Sequence, residues 1–117
     1  MLLKQYLAVM LGGSAGAALR WALGGLNHGQ ALPVGTLAAN LVGCFTAGLI
    51  MSLVRHDSLL YLFVVAGLCG ALTTFSTFMV ELLETKPLSL VLTYAVISVV
   101  GGLLAVWAGL RCARLVA

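Results

Sequence analysis

Residues 70–81 read GALTTFSTFMVE, with Thr73, Thr74, Ser76 and Thr77 interleaved with Phe75 and Phe78 in an otherwise apolar chain. Glycine is a poor helix former and threonine is β-branched, so Gly67, Gly70 and the Thr73-Thr74 pair weaken any helix that contains them. A greasy helix has no use for four hydroxyls in five residues. Their reading depends on whether water reaches this segment.

Working outward, the surroundings are hydrocarbon-like. Of 117 residues, 62% are hydrophobic and 8% charged, with a mean hydropathy of +1.17. Such a balance belongs to the membrane class. The charges fall at Lys4, Arg20, Arg55, Asp57, Glu81, Glu84, Lys86, Arg111 and Arg114. Between them lie uncharged runs that can reach the roughly 20 residues a spanning helix needs. Four spans follow, over residues 3–25, 33–54, 59–83 and 88–110, joined by short turns at Asn27-His28-Gly29, Arg55-His56-Asp57 and Lys86-Pro87. The predicted architecture is all-α: one domain, residues 1–117, of four transmembrane helices. Its third helix is broken near mid-membrane, where unwound backbone survives only inside protein or against a cavity.

The charge pattern excludes several functions. Net charge is +3, but the six basic residues stand singly near span ends, where cations snorkel, and form no cluster for a phosphate backbone. Tyr6, Trp21, Tyr61 and Trp107 sit near the same ends, as interfacial aromatics do. Cys44, Cys69 and Cys112 form no C-x-x-C pair, so neither a disulfide framework nor a metal site is indicated; His28 and His56 belong to loops. Lys4, an apolar run and Ala15-Gly16-Ala17 would suit a signal peptide. Because three further spans follow, the expectation is a retained helix.

Small residues recur every four positions: Gly35, Ala39, Gly43 and Ala47 on the second span, Gly101, Ala105, Gly109 and Ala113 on the fourth, and Gly12 with Gly16 on the first. Such ladders let helix backbones approach closely, which drives association in lipid. More ladders are present than four helices could use internally while enclosing a pathway, so a homo-oligomer is expected. Lys4, Arg55, Arg111 and Arg114 would lie on one side of the membrane and Arg20 and Lys86 on the other. That four-to-two bias specifies orientation weakly, and insertion both ways would allow an antiparallel pair.

Polar side chains within spans default to function because they are costly there. They are Asn40 on the second span, the hydroxyl run on the third, and Thr93, Tyr94 and Ser98 on the fourth. Phe75 and Phe78, three apart, share one helix face, and a ring edge carries positive potential. Ring edges, hydroxyls and the Asn40 amide make a donating surface without a full positive charge. It suits a small, hard, strongly hydrated anion whose water must be replaced without trapping it.

GGSAGAALRW (Gly12–Trp21), GTLAANLVG (Gly35–Gly43) and GLCGALTTFSTF (Gly67–Phe78) resemble the signatures of the Fluc/CrcB fluoride channels. The resemblance covers the whole chain and is most specific in the third motif. It implies passive, fluoride-selective export across a microbial cell (inner) membrane through two pores in an antiparallel, dual-topology homodimer. By this resemblance Asn40, Phe75, Phe78, Ser76, Thr77, Tyr94 and Ser98 belong to the pore and Arg20 to its vestibule. Main-chain carbonyls of Gly70 and Thr73 would hold a structural sodium ion at the dimer centre. Ala71 stands where the family usually has a second glycine.

The alternative is a small multidrug-resistance-type, proton-coupled exporter. It needs a membrane-embedded carboxylate, in that family on the first helix, and the first span has neither Asp nor Glu. Glu81 and Glu84 read as solvated charges at the end of the third span. A non-transporting assembly subunit would leave the donor track without a purpose. Enzymatic roles lack a nucleophile–base pair, a carboxylate pair or a metal cluster.

Overall fold

The computed structural model describes residues 1–117. Helix α1 spans Leu2–Gly24 and tightens into a 3-10 turn at Gly25–Asn27. Helix α2 is Val34–Leu53. Helix α3 covers residues 59–72, α4 is Phe75–Glu84, and α5 is Leu88–Val116. There are no strands. Because α3 and α4 are two halves of one span, Leu59–Glu84, four segments are long and apolar enough to cross a membrane.

Two features depart from the sequence reading. The last helix continues past residue 110, through Arg111 and Arg114, for 29 residues in all. At 1.5 Å per residue it is about 43 Å long, more than the roughly 30 Å of a bilayer core. Arg111 does not stop the helix, because arginine is a good helix former; its guanidinium rests 5.2 Å from the centre of the Trp107 ring. The second departure is a π-helical stretch, Leu62–Cys69, inside α3. No residue pattern signals that wider winding.

Packing relies on backbone approach rather than on a large apolar core. Only 15 of 117 residues are buried, and Gly12, Gly16, Gly35, Ala39, Gly43 and Gly48 are among them. A methyl on Gly12 would strike the carbonyl of Phe63, and one on Gly16 the carbonyl of Leu68, so these glycines seat α1 against the π-helical stretch. Gly48 meets Val106 and Gly109 meets Phe45 in the same way, which closes α2 on α5. The ladder glycines are therefore used largely inside the chain, and α2 adds a close contact at Gly48, outside its Gly35–Ala47 ladder.

The third span breaks where the sequence is weakest. Thr73 (φ −76°, ψ 148°) and Thr74 (φ −147°, ψ 123°) are extended. Thr73 ends α3, its N–H and its hydroxyl both donating to the Cys69 carbonyl, at 3.0 and 2.9 Å. Thr74 starts α4 as its N-cap, its Oγ1 accepting from the Thr77 N–H at 3.2 Å.

Candidate ion pathway

The break is held from outside by α2. Asn40 Oδ1 accepts from the Thr74 N–H at 2.7 Å, and Asn40 Nδ2 donates to the Thr74 carbonyl at 3.3 Å. The Thr74 N–H is the normal α-helical partner of the Gly70 carbonyl, and the Thr77 N–H is that of the Thr73 carbonyl. Both are diverted, one to Asn40 and the other to Thr74 Oγ1. Gly70 and Thr73 therefore present main-chain oxygens freed from helical bonding, hard donors suited to a hard cation rather than to zinc or copper. The molecule contains no group of three or more His, Cys, Asp or Glu side chains that could serve instead.

Two depressions meet at Thr74. One, of about 270 Å³, is lined by Asn40, Thr73, Thr74, Phe75, Phe78 and Ser98 among others. Ser98 Oγ is buried there without a hydrogen-bond partner, an expensive state for a polar atom unless a ligand or water meets it. Asn40 Nδ2 carries two hydrogens and donates one to Thr74, so one N–H remains. The other depression, of about 530 Å³, is lined by Arg20, Trp21, Thr36, Thr74, Thr77 and Glu81 among others. Arg20 has no carboxylate partner, since the molecule's one ion pair is Arg55–Asp57 at 2.9 Å. Arg20 therefore borders this vestibule without a direct ion pair, and the Glu81 carboxylate lines the same space.

The predicted residues thus divide between two sites. Asn40, Phe75, Phe78 and Ser98 gather in the smaller depression; Arg20 and Thr77 border the vestibule. The Phe75 and Phe78 rings are 6.3 Å apart and edge-on at 62°, yet Phe78 is 7% exposed and Phe75 73% exposed. Tyr94 extends the edge-to-face series, 5.1 Å from Phe78. Ser76 is exposed, its hydroxyl 3.4 Å from that of Thr74. Thr93 joins neither site, because its hydroxyl donates back to the Ser89 carbonyl of its own helix at 2.7 Å.

A family model for "CrcB-like protein, Camphor Resistance (CrcB)" matches residues 7–110. The chain belongs to the CrcB family. This is the family expected from the three motifs. The chain is 44% identical over 114 residues to the fluoride-specific ion channel FluC 2 of Staphylococcus haemolyticus, covering 92% of this chain and 94% of the relative. It is 44% identical over 117 residues to fluoride-specific ion channel FluC of Pseudomonas putida, at the same coverage. Fluoride-specific ion channel FluC 1 of Staphylococcus aureus is 39% identical over 115 residues.

Sequence reasoning missed part of this candidate site. Glu81 is not a solvated helix-end charge. Its Oε1 accepts from Thr36 Oγ1 at 2.6 Å and Asn27 Nδ2 at 3.2 Å, and its Oε2 accepts from the Tyr94 hydroxyl at 2.7 Å. The sequence reading gives Asn27 only as a turn residue and does not single out Thr36; neither stands near Glu81 in the chain. Thr74, common to both depressions, lay within the hydroxyl run but was not separated from its neighbours. Its N-capping position before Thr77 was the signal available.

Proposed function

We propose that this chain is a fluoride-selective ion channel, conducting passively down the electrochemical gradient and exporting fluoride across the cell membrane. The carrying observation is the donor-lined break at Thr74, open on one side to the Arg20 vestibule and on the other to the depression holding Ser98. The names of the FluC relatives support the choice of ion.

In this reading Arg20 attracts the anion into the vestibule, and Thr77 and Ser76 replace part of its hydration. The free Asn40 N–H, Ser98 Oγ and the edges of Phe75 and Phe78 receive it beyond the break. None of the donors beyond Arg20 is a full positive charge, so the ion is not trapped. Tyr94, fully buried and edge-on to Phe78, holds Glu81. A proton-coupled cation exporter finds less support: the first span offers no acid, and Glu81 is bound by three donors.

The functional unit we propose is an antiparallel homodimer, the weak basic bias allowing either orientation. Phe75, largely exposed on the single chain, would then be covered by the partner. Gly70 and Thr73 carbonyls would hold a structural sodium ion where two breaks meet; the ion would supply charge to join the unwound turns and take no part in conduction.

Fluoride-loaded liposomes containing purified protein test this reading, with release read by a fluoride electrode after valinomycin and potassium relieve the charge build-up. Fast fluoride release with chloride retained is expected, without need of a proton gradient. Equal chloride release, or obligatory proton coupling, would overturn the assignment.

A further inference from the structure

We propose that Asn27 is a positioning residue for conduction, locking the Glu81 carboxylate into the vestibule wall so that its charge stays off the ion route. Its two ends perform separate tasks. Oδ1 accepts from the Gly35 N–H at 2.7 Å and the Thr36 N–H at 3.3 Å, which caps the start of α2. Two backbone donors at that atom fix it as the oxygen, so Nδ2 points the other way. There it donates to Thr36 Oγ1 at 3.0 Å and to Glu81 Oε1 at 3.2 Å.

The result is a four-element junction. The turn after α1 supplies Asn27, α2 supplies Thr36, α4 supplies Glu81, and α5 closes the far side through Tyr94 at 2.7 Å. Gly35 is part of the device, since any side chain there would run into the Leu23 carbonyl and press on Asn27 Oδ1. Asn27 and Glu81 also line a second, outer depression of about 470 Å³ that contains Gln30, Glu84 and Lys86. The pair is thus a shared wall between that depression and the vestibule.

Glu81 needs such holding because of its neighbours. It lies one helical turn beyond Thr77, on the same face, and Arg20 and Thr77 border the same vestibule. A released carboxylate could pair with Arg20 and accept from Thr77, the groups that would otherwise meet an incoming anion. With both oxygens engaged by uncharged donors, the negative charge is spread over Asn27, Thr36 and Tyr94 and kept at the wall.

The inference rests on the proposal that fluoride crosses this vestibule, and its test separates the two. Asn27→Asp keeps the α2 cap but turns a second carboxylate oxygen toward Glu81. Asn27→Asp with Glu81→Gln exchanges donor and acceptor and restores the contact at unchanged net charge. Fluoride efflux from liposomes and the thermal unfolding midpoint in detergent are measured for wild type, both single variants and the pair. Asn27→Asp should slow fluoride efflux about tenfold or more, because two like charges then face each other at hydrogen-bond distance. The double variant should recover to within about threefold of wild type, as coupled neighbours do. Aggregation of the single variant, corrected by the exchange, counts equally in favour. Wild-type efflux from Asn27→Asp, or no recovery in the double variant, would overturn the inference. Should wild type itself fail to release fluoride, the functional reading falls, while the midpoints still report whether Asn27 and Glu81 are coupled.

Discussion

Asn40 grips Thr74 by both of its main-chain hydrogen-bonding groups, accepting from its N–H at 2.7 Å and donating to its carbonyl at 3.3 Å. A side-chain amide on α2 thus replaces helical bonding on the third span. The break is stabilised by a partner, not merely permitted by weak helix formers. Removing the amide should therefore cost stability as well as conduction. Asn40→Ala leaves the Thr74 N–H without its partner in a part-buried site, a penalty of about 1–3 kcal/mol where water does not reach it. A lowered unfolding midpoint in detergent, together with lost fluoride efflux, is expected. An unchanged midpoint would mean that the grip contributes nothing.

Asn40→Asp separates the two roles. The carboxylate still accepts from the Thr74 N–H, so the fold should survive better than in Asn40→Ala. A fixed negative charge would then face the incoming anion, with about 4 kcal/mol of repulsion at 4 Å for an effective dielectric near 20. Efflux should fall sharply in a protein that still elutes as a discrete species. Wild-type flux would exclude Asn40 from the pathway.

The two phenylalanines should respond differently to the same change. Phe78 is 7% exposed and packed edge-on against Tyr94, whereas Phe75 is 73% exposed on the single chain. Phe78→Ile should reduce both the unfolding midpoint and the flux, losing an aromatic contact of about 0.5–1.5 kcal/mol besides the pore edge. Phe75→Ile should reduce flux with the smaller stability loss. The reverse order in the melting curves would contradict the burial pattern.

Adjacent glycines on α1 offer a packing test. A methyl on Gly12 meets the Phe63 carbonyl, while one on Gly13 meets nothing within 4 Å. Gly12→Ala should force α1 away from the π-helical stretch at about 1–3 kcal/mol, the usual cost of overpacking. Gly13→Ala should be neutral or slightly stabilising through helix propensity. Equal midpoints for the two variants would argue against this α1–α3 approach.

The proposed sodium ion predicts a cation-dependent stability. Replacing sodium with N-methyl-D-glucamine throughout purification should lower the unfolding midpoint, since a ligand held only by the folded state stabilises it by mass action. Thr73→Ala should leave that sodium dependence in place, because the proposed ligand is the main-chain oxygen. No difference between the two cations would remove sodium from the account.

The sequence by itself determined the membrane-spanning all-α class, the four spans, the weak point of the third, and the family. Each is a local property: composition sets hydropathy, spacing sets span length, and Gly70 with Thr73-Thr74 sets where a helix resists forming. Asn40, Phe75, Phe78 and Arg20 were legible because polar, paired aromatic or charged side chains stand out against an apolar background. Only the tertiary structure decided what those groups touch. Asn40 reaches Thr74 across 34 positions and Asn27 reaches Glu81 across 54, and neither pairing leaves a periodic trace in the chain. Glu81 looked solvated because it lies near a helix end and a lysine; donors from two other helices and a turn convert it into a buttress. The glycine ladders were visible, but the carbonyls they face depend on how α1 meets α3 and how α2 meets α5. Such packing is set by side-chain and backbone shape across the whole bundle, which no single stretch of sequence contains.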